Sequence, residues 1–157
     1  MKILSVHIEN FGNISDKDFR FGDGLNSFER ENGYGKTTLL SFVKAMLYGL
    51  SSYKSNTKEF TDREHYFPFG GGKFGGNMEF TAGGKEYRVE RFFDGKSETK
   101  DSVKIFIDGK ETEINDLGFH IFGLNADDFS RTAYIDGEIV SSATSAIGER
   151  IGNISDK

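Results

Sequence analysis

The chain has 157 residues, a formal net charge of −5 and no cysteine, which fits about one domain and excludes disulfides and thiolate metal sites. Because the charge balance is acidic, we do not expect this domain to be the main DNA-binding surface of an assembly. No apolar run reaches membrane-spanning length and no signal peptide is visible, so we expect a cytoplasmic protein without a membrane partner.

The first 30 residues predict short strands. Apolar and polar residues alternate over 4–9, and this period of two predicts a half-buried first strand. Residues 19–21 predict a second short strand, because two phenylalanines flank an arginine there. Residues 25–29 form a possible third strand directly before a glycine-rich segment.

That segment, residues 31–38, reads Glu-Asn-Gly-Tyr-Gly-Lys-Thr-Thr and predicts a nucleotide-phosphate loop. Glycines allow a tight turn that points successive backbone N–H groups into one concavity. Lys36 is placed to reach the β and γ phosphates, and the Thr37 hydroxyl is placed to ligate Mg²⁺. The predicted nucleotide-binding residues are Asn32, Gly33, Tyr34, Gly35, Lys36, Thr37 and Thr38.

A helix should follow the loop. Apolar residues recur three and four positions apart over 39–47, which is helical periodicity, and Gly49 is a plausible stop. A helix that begins near Gly35 directs the positive end of its dipole at the phosphates. Arg30 departs from the full pattern G-x-x-x-x-G-K-[ST], whose first residue is glycine. The alternative is therefore a glycine-rich helix entry that contains Gly-Lys-Thr by chance.

Residues 51–76 are polar and glycine-rich and carry scattered aromatic residues. Their basic residues interleave with acidic ones, which favours a solvated loop of mixed charge. Aromatic residues among cations can also stack on nucleic-acid bases, although we favour rings that fix the loop to its own domain. The basic residues are Lys54, Lys58, Arg63 and Lys73, and the acidic ones are Glu59, Asp62 and Glu64.

An antiparallel meander and two short helices should complete the domain. Alternating residues around 78–80, 87–89 and 103–107 predict strands, with hairpin turns at Gly83-Gly84 and Asp108-Gly109. Helices are expected over 117–122 and 126–132, the second capped by Asn125. The three histidines are far apart in sequence and have no metal-ligand spacing.

With these motifs in place, the chain resembles the N-terminal head segment of SMC-like, recombination-repair type ATPases, an ABC-fold branch of AAA-family ATPases. The resemblance rests on residues 1–12, on 31–39, on Tyr48-Gly49 and on 129–135. It implies an α/β fold, the N-terminal lobe of a P-loop NTPase, in which a mixed sheet carries the phosphate-loop helix beside an antiparallel side sheet. It also implies that ATP and Mg²⁺ are the cofactors.

The resemblance also sets expectations for the rest of the site. Asp136 stands where the family has a glutamine near Mg²⁺, so Asp136 and Thr37 are the predicted metal ligands. The alternative is that Asp136-Gly137 is a surface turn. The family's Walker B aspartate, catalytic glutamate and signature motif have no counterpart in residues 137–157. We therefore expect residues 1–157 to be one domain, half of a head, and inactive as an ATPase by itself, with catalytic residues unknown.

The implied partners are the C-terminal lobe of the same head, a second head in an ATP-sandwiched dimer, and DNA through the whole assembly. Three hypotheses stay open at this point. The chain is part of an ATP hydrolase, or a non-hydrolysing nucleotide sensor or scaffold, or a nucleic-acid-binding module whose phosphate loop is vestigial.

Overall fold

The structure, a computed structural model, describes residues 1–24, 26, 35–54, 56–57 and 59–132. Within them, six strands form one sheet in the order β2-β1-β3-β4-β5-β6, and every strand pair is antiparallel. The elements in chain order are β1 Lys2–Phe11, β2 Ile14–Arg20, α1 Lys36–Tyr48, α2 Asp62–His65, β3 Gly75–Ala82, β4 Lys85–Phe92, a 3-10 turn Glu98–Lys100, β5 Ser102–Ile107, β6 Lys110–Glu111, α3 Leu117–Phe122 and α4 Ala126–Thr132.

The sheet confirms the alternation seen in the sequence. Val6 and Ile8 of β1 are buried, as are Met78 and Phe80 of β3, because successive strand residues point to opposite faces. The hairpin turns lie where predicted, since Ala82 pairs with Lys85 and Ile107 pairs with Lys110. One face of the sheet is therefore apolar and needs a cover.

Helix α1 provides that cover. Five of its residues are buried, and they recur at helical spacing: Leu39, Phe42, Ala45, Met46 and Leu47. Full burial of one such apolar side chain contributes about 1.5–3 kcal/mol. The helix ends at Gly49, whose φ of 83° suits glycine, so both predicted ends of the helix are confirmed. The α/β class is confirmed as well.

The predicted sheet arrangement differs in one respect. The described strands form a single antiparallel sheet, and α1 packs on that sheet rather than on a separate one. The possible strand at 25–29 lies outside the described residues, except for Asn26. No helix in the described part of the chain is long and apolar enough to span a membrane.

The interpretation of residues 51–76 as a solvated loop is wrong at Arg63. This side chain is 1% exposed and lies on α2, a short helix that the sequence did not predict. Its guanidinium donates five hydrogen bonds, two to the Asp101 carboxylate and one each to Ser52 Oγ and the carbonyls of Leu50 and Asp94. Those acceptors lie far away in sequence, so the local pattern of charges did not reveal them.

Aromatic residues do fix this segment to the domain, as favoured above. The Tyr66 ring stacks on Phe11 at 4.6 Å between centroids, and its hydroxyl donates to Ser41 Oγ at 2.7 Å. Phe74 is buried beside Phe11. Phe67 is half exposed and packs edge-on against Phe74 at 5.8 Å. Other rings of the segment are more exposed, namely Tyr53, Phe60 and Phe69.

The two short helices follow the sheet with the predicted bounds. Asn125 accepts a hydrogen bond from the Asp128 backbone N–H at 2.9 Å, which confirms the predicted cap. Both helices pack at the C-terminal end of α1, where the Tyr48 hydroxyl donates to the Leu124 carbonyl at 2.9 Å. The opposite end of α1 is left clear of them.

Candidate nucleotide-phosphate site

Among the described residues, the N-terminal end of α1 has no side-chain cap. Its cap residue, Gly35, has φ 81° and ψ 20°. The first turn holds no acidic residue, and Lys36 and Thr37 are exposed there. The first N–H groups of a helix have no intrahelical partner, and the dipole makes this end positive. These features suit an anionic oxygen.

Gly35 is required by its surroundings. The left-handed φ disfavours other residues, and an added Cβ would lie 3.0 Å from Ile14 Cδ1. Ile14 is buried at the start of β2. The chain therefore enters α1 over an apolar side chain, and its backbone approaches closely because no Cβ intervenes.

The turn between β1 and β2 supports the same helix end. Thr38 Oγ1 donates to Asn13 Oδ1 at 3.2 Å, and the Thr38 methyl lies 3.3 Å from where a Cβ would stand at Gly12. Asn13 and Ile14 were not predicted from the sequence as neighbours of the start of α1. The only local signal was their position between two predicted strands.

The residue after α2, Tyr66, also contacts the β1–β2 turn. The Gly12 N–H donates to the Tyr66 carbonyl at 2.7 Å, and Tyr66 is also bonded to Ser41 of α1. The Phe11 ring meets Phe42 edge-on at 5.2 Å. The start of α1, the β1–β2 turn and the residues after α2 therefore form one packed unit.

The structure brings four predicted site residues together at this end, namely Gly35, Lys36, Thr37 and Thr38. The other predicted residues, Asn32, Gly33, Tyr34 and Asp136, lie outside the described residues. Their roles stay predictions, and so does the pairing of Asp136 with Thr37 at Mg²⁺. Across the described ranges, no group of three or more histidine and acidic side chains is arranged to hold a metal ion.

The residues that are described do fit Mg²⁺-bound ATP. A positive helix end, a lysine in solvent and a threonine hydroxyl beside it provide donors for phosphate oxygens and one oxygen ligand for a hard cation. The fit rests on the chemistry of this donor set and on the glycine at position 35, which leaves the backbone accessible.

A different cleft, of about 320 Å³, lies at the far end of α1 near Gly49 and Asp127. Arg91 lines it, and the Arg91 Nε is buried with no hydrogen-bond partner among the described residues. Burial lowers the pKa of Arg91, while the carboxylates of Asp101 and Asp116 oppose that shift. The 13 residues of α1 correspond to a helix about 20 Å long, so this cleft is separate from the phosphate end.

Comparison with known proteins gives a consistent picture. Residues 5–147 match the model of a family described as an AAA domain. A DNA double-strand break repair Rad50 ATPase from Methanosarcina acetivorans is 34% identical over 114 residues, which cover 70% of this chain and 10% of that protein.

Two further relatives each match more than half of the chain. A DNA replication and repair protein RecF from Cytophaga hutchinsonii is 30% identical over 99 residues, covering 63% of this chain and 25% of that protein. The uncharacterized protein YhaN of Bacillus subtilis is 28% identical over 123 residues, covering 78% of this chain and 11% of that protein.

The chain therefore spans between 10% and 25% of the length of these relatives. The family match covers most of its residues, and α1 packs on the antiparallel sheet. The chain belongs to the AAA domain family, and it corresponds to the N-terminal head segment of the SMC-like, recombination-repair type.

Proposed function

We propose that this chain binds Mg²⁺-ATP as the N-terminal lobe of an ATPase head in a protein that acts in DNA repair or maintenance. The observation that carries the proposal is the uncapped start of α1, where exposed Lys36 and Thr37 directly follow the glycine motif. The names of the Rad50 and RecF relatives support the link to repair.

Each residue at this end has a distinct role in the proposal. The backbone of residues 32–35 and the first N–H groups of α1 donate to phosphate oxygens. Lys36 neutralises charge on the β and γ phosphates, and Thr37 offers its hydroxyl to Mg²⁺. Mg²⁺, when bound, offsets phosphate charge, and Asp136 is proposed as a second protein ligand for it.

The lobe is proposed to need a partner for turnover. Phosphoryl transfer depends on positioning and on charge stabilisation from several groups at once, and the described end of α1 offers a lysine and hydroxyls but no carboxylate. Leu40 of α1 is 42% exposed, which leaves an apolar position on the helix for the C-terminal lobe of the same head. A second head would then complete the ATP site, and DNA would be engaged by the whole assembly.

Lys36→Ala should weaken the binding of Mg²⁺ with a non-hydrolysable ATP analogue by about 10- to 100-fold, because a hydrogen bond to a charged group contributes about 1.5–3 kcal/mol. Isothermal titration calorimetry of the chain measures this change. Lys85→Ala is the matched control, since Lys85 is an exposed lysine in the β3–β4 hairpin and should leave affinity unchanged. Equal affinity in all three proteins would refute the phosphate site.

The chain without its partner lobe should not release phosphate from ATP above the buffer background. The expectation follows from the missing carboxylate and second-lobe groups, and a phosphate-release assay over a range of protein concentrations tests it. Lys36→Ala serves as the background control. Release that rises with protein concentration and disappears in Lys36→Ala would show that the lobe is catalytic alone.

A nucleic-acid-binding module is the second candidate, favoured by the exposed rings of Tyr53, Phe60 and Phe69. Charge weighs against it. Arg63 is buried in an ion pair with Asp101, so its charge does not face solvent. Lys73 lies over the Phe92 ring at 5.6 Å. DNA affinity without nucleotide that falls steeply with added salt would favour this module. Nucleotide binding without turnover in the complete head would favour a sensor or scaffold.

A further inference from the structure

The cleft at the C-terminal end of α1 contains an arginine whose donors are unused. Arg91 belongs to β4, and its side chain, which is partly exposed, lines the cleft of about 320 Å³ together with Lys44 and Tyr48 of α1. It reaches the helix end, because a Cβ added at Gly49 would lie 3.0 Å from Arg91 Nη1. The cleft is therefore built at the end of α1 that the proposed phosphate site does not use.

Arg91 is a cation that donates no hydrogen bond to any described residue. A guanidinium keeps its proton in proteins. The carboxylates of Asp101 and Asp116 are near enough to raise its pKa against the lowering by burial, but they accept hydrogen bonds from other groups. Asp101 accepts from Arg63, and Asp116 accepts from the Phe119 backbone N–H. The donors of Arg91 are therefore available to an acceptor from outside these residues.

The neighbouring pair of Arg63 and Asp101 shows which acceptor fits such a group. Arg63 Nη1 and Nη2 donate to the two Asp101 oxygens at 2.7 and 2.8 Å, and this end-on fork matches the planar shape of a carboxylate. In Arg91 the Nε is shut off from solvent, so a ligand in the cleft meets the two terminal nitrogens. An end-on carboxylate is therefore the matching ligand for Arg91.

The other charges of the cleft favour a ligand with a single negative charge. Lys44 adds a cation to the lining, whereas Asp62, Glu98 and Asp127 add carboxylates. Repulsion by these carboxylates increases with the charge of the ligand. A phosphate dianion is therefore disfavoured relative to one carboxylate, although both are anions that an arginine can bind.

We propose that this cleft is a binding site for one carboxylate, which Arg91 holds end-on through its two terminal nitrogens. The carboxylate belongs either to a small organic acid or to an aspartate or glutamate side chain of a protein surface, and the chemistry that Arg91 recognises is the same. The site does not depend on nucleotide binding at the start of α1, so it stands or fails separately from the proposed function.

Titration of the ¹⁵N-labelled chain with sodium acetate, followed by NMR, tests the site. The Arg91 Nε–H and the backbone N–H groups of Gly49 and Ser51 should shift with a saturable dependence on acetate, because they border the cleft. Sodium chloride at equal ionic strength should give no saturable shift, since it screens charge without matching the fork. Phosphate dianion should bind at least about tenfold more weakly than acetate.

Two arginine variants separate the cleft from the rest of the strand. Arg91→Lys should weaken acetate binding by about tenfold or more, because an ammonium has no planar fork, and the Gly49 and Ser51 signals report this change. Arg88→Lys is the matched control. Arg88 lies on the same strand, is 48% exposed and pairs with Glu90, so its replacement should leave acetate binding unchanged.

A second carboxylate identifies the source of the ligand. Glutamate blocked at its amine and its α-carboxyl group presents only a side-chain carboxylate. If it binds more tightly than acetate, the site serves a protein side chain, and the reverse order assigns it to a small acid. A linear response of the wild-type chain to both compounds, an equal affinity in Arg91→Lys, or tighter binding of phosphate than of acetate would overturn the proposal.

Discussion

Replacing Gly76 with alanine should destabilise the domain by more than about 4 kcal/mol, in the range that marks a severe steric or polar defect. Gly76 is buried in β3 and pairs with Ile8 of β1. An added Cβ would lie 2.0 Å from the His7 carbonyl oxygen, and backbone atoms cannot move aside as the end of a side chain can. Alanine would therefore separate β1 from β3 at the centre of the sheet.

Urea unfolding followed by circular dichroism measures this effect. A domain typically has only about 5–15 kcal/mol of stability. The variant is therefore expected to be largely unfolded, or to unfold at a much lower urea concentration than wild type. Gly70→Ala is the matched control, since a Cβ at Gly70 meets nothing within 4 Å and its φ is not positive. An unfolding free energy for Gly76→Ala within about 1 kcal/mol of wild type, the usual effect of a single mutation, would contradict the close approach of the strands.

Arg63→Met should destabilise the domain by about 3–5 kcal/mol, the range for removing one partner of a buried ion pair. The side chains of Arg63 and Asp101 are 1% and 14% exposed. Methionine retains much of the apolar stem but removes the guanidinium donor from the Asp101 carboxylate and from the carbonyls of Leu50 and Asp94. Each unsatisfied buried acceptor adds a desolvation penalty.

The same denaturation assay distinguishes this pair from a surface pair. Arg88→Met removes an ion pair with Glu90 in which the arginine is 48% exposed, and exposed pairs contribute only about 0–1 kcal/mol. The double variant Arg63→Met with Asp101→Asn should lose less unfolding free energy than the sum of the two single losses, because the two residues share one network. Additive losses, or a small effect of Arg63→Met alone, would show that the pair is not coupled.

Local patterns were sufficient for most of the fold. Alternation placed β1, β3, β4 and β5, the three- and four-residue spacing placed α1, and Asn125 marked the start of α4. The second strand was placed only in part, because β2 spans Ile14–Arg20 rather than the predicted residues 19–21. Each of these signals depends on residues a few positions apart, whose geometry the backbone sets directly. The glycine-lysine-threonine motif likewise placed the start of α1, so Gly35 to Thr38 could be predicted from the sequence to lie at that helix end.

Long-range partners were not accessible in the same way. The capping box of α2 joins Thr61 to Glu64, yet its helix spans only Asp62–His65, too short to show a periodic pattern. Arg63 looked like one more charge in a mixed loop because its acceptor, Asp101, is 38 residues away. Asn13 meets Thr38 only once β1 has paired and α1 has packed on the sheet.

Helix α2 has one further consequence, for movement. Arg63 bonds to the carbonyl of Leu50, just beyond the end of α1, whereas Tyr66, one turn later, bonds to Ser41 in its first half. Residues 63–66 therefore bond to α1 in its first half and to the chain just after its end, while Arg63 also bonds to Asp101 in the chain leading into β5. Sliding of α1 along the sheet would break both sets of hydrogen bonds, so α1, α2 and the chain leading into β5 are expected to move together as one rigid unit.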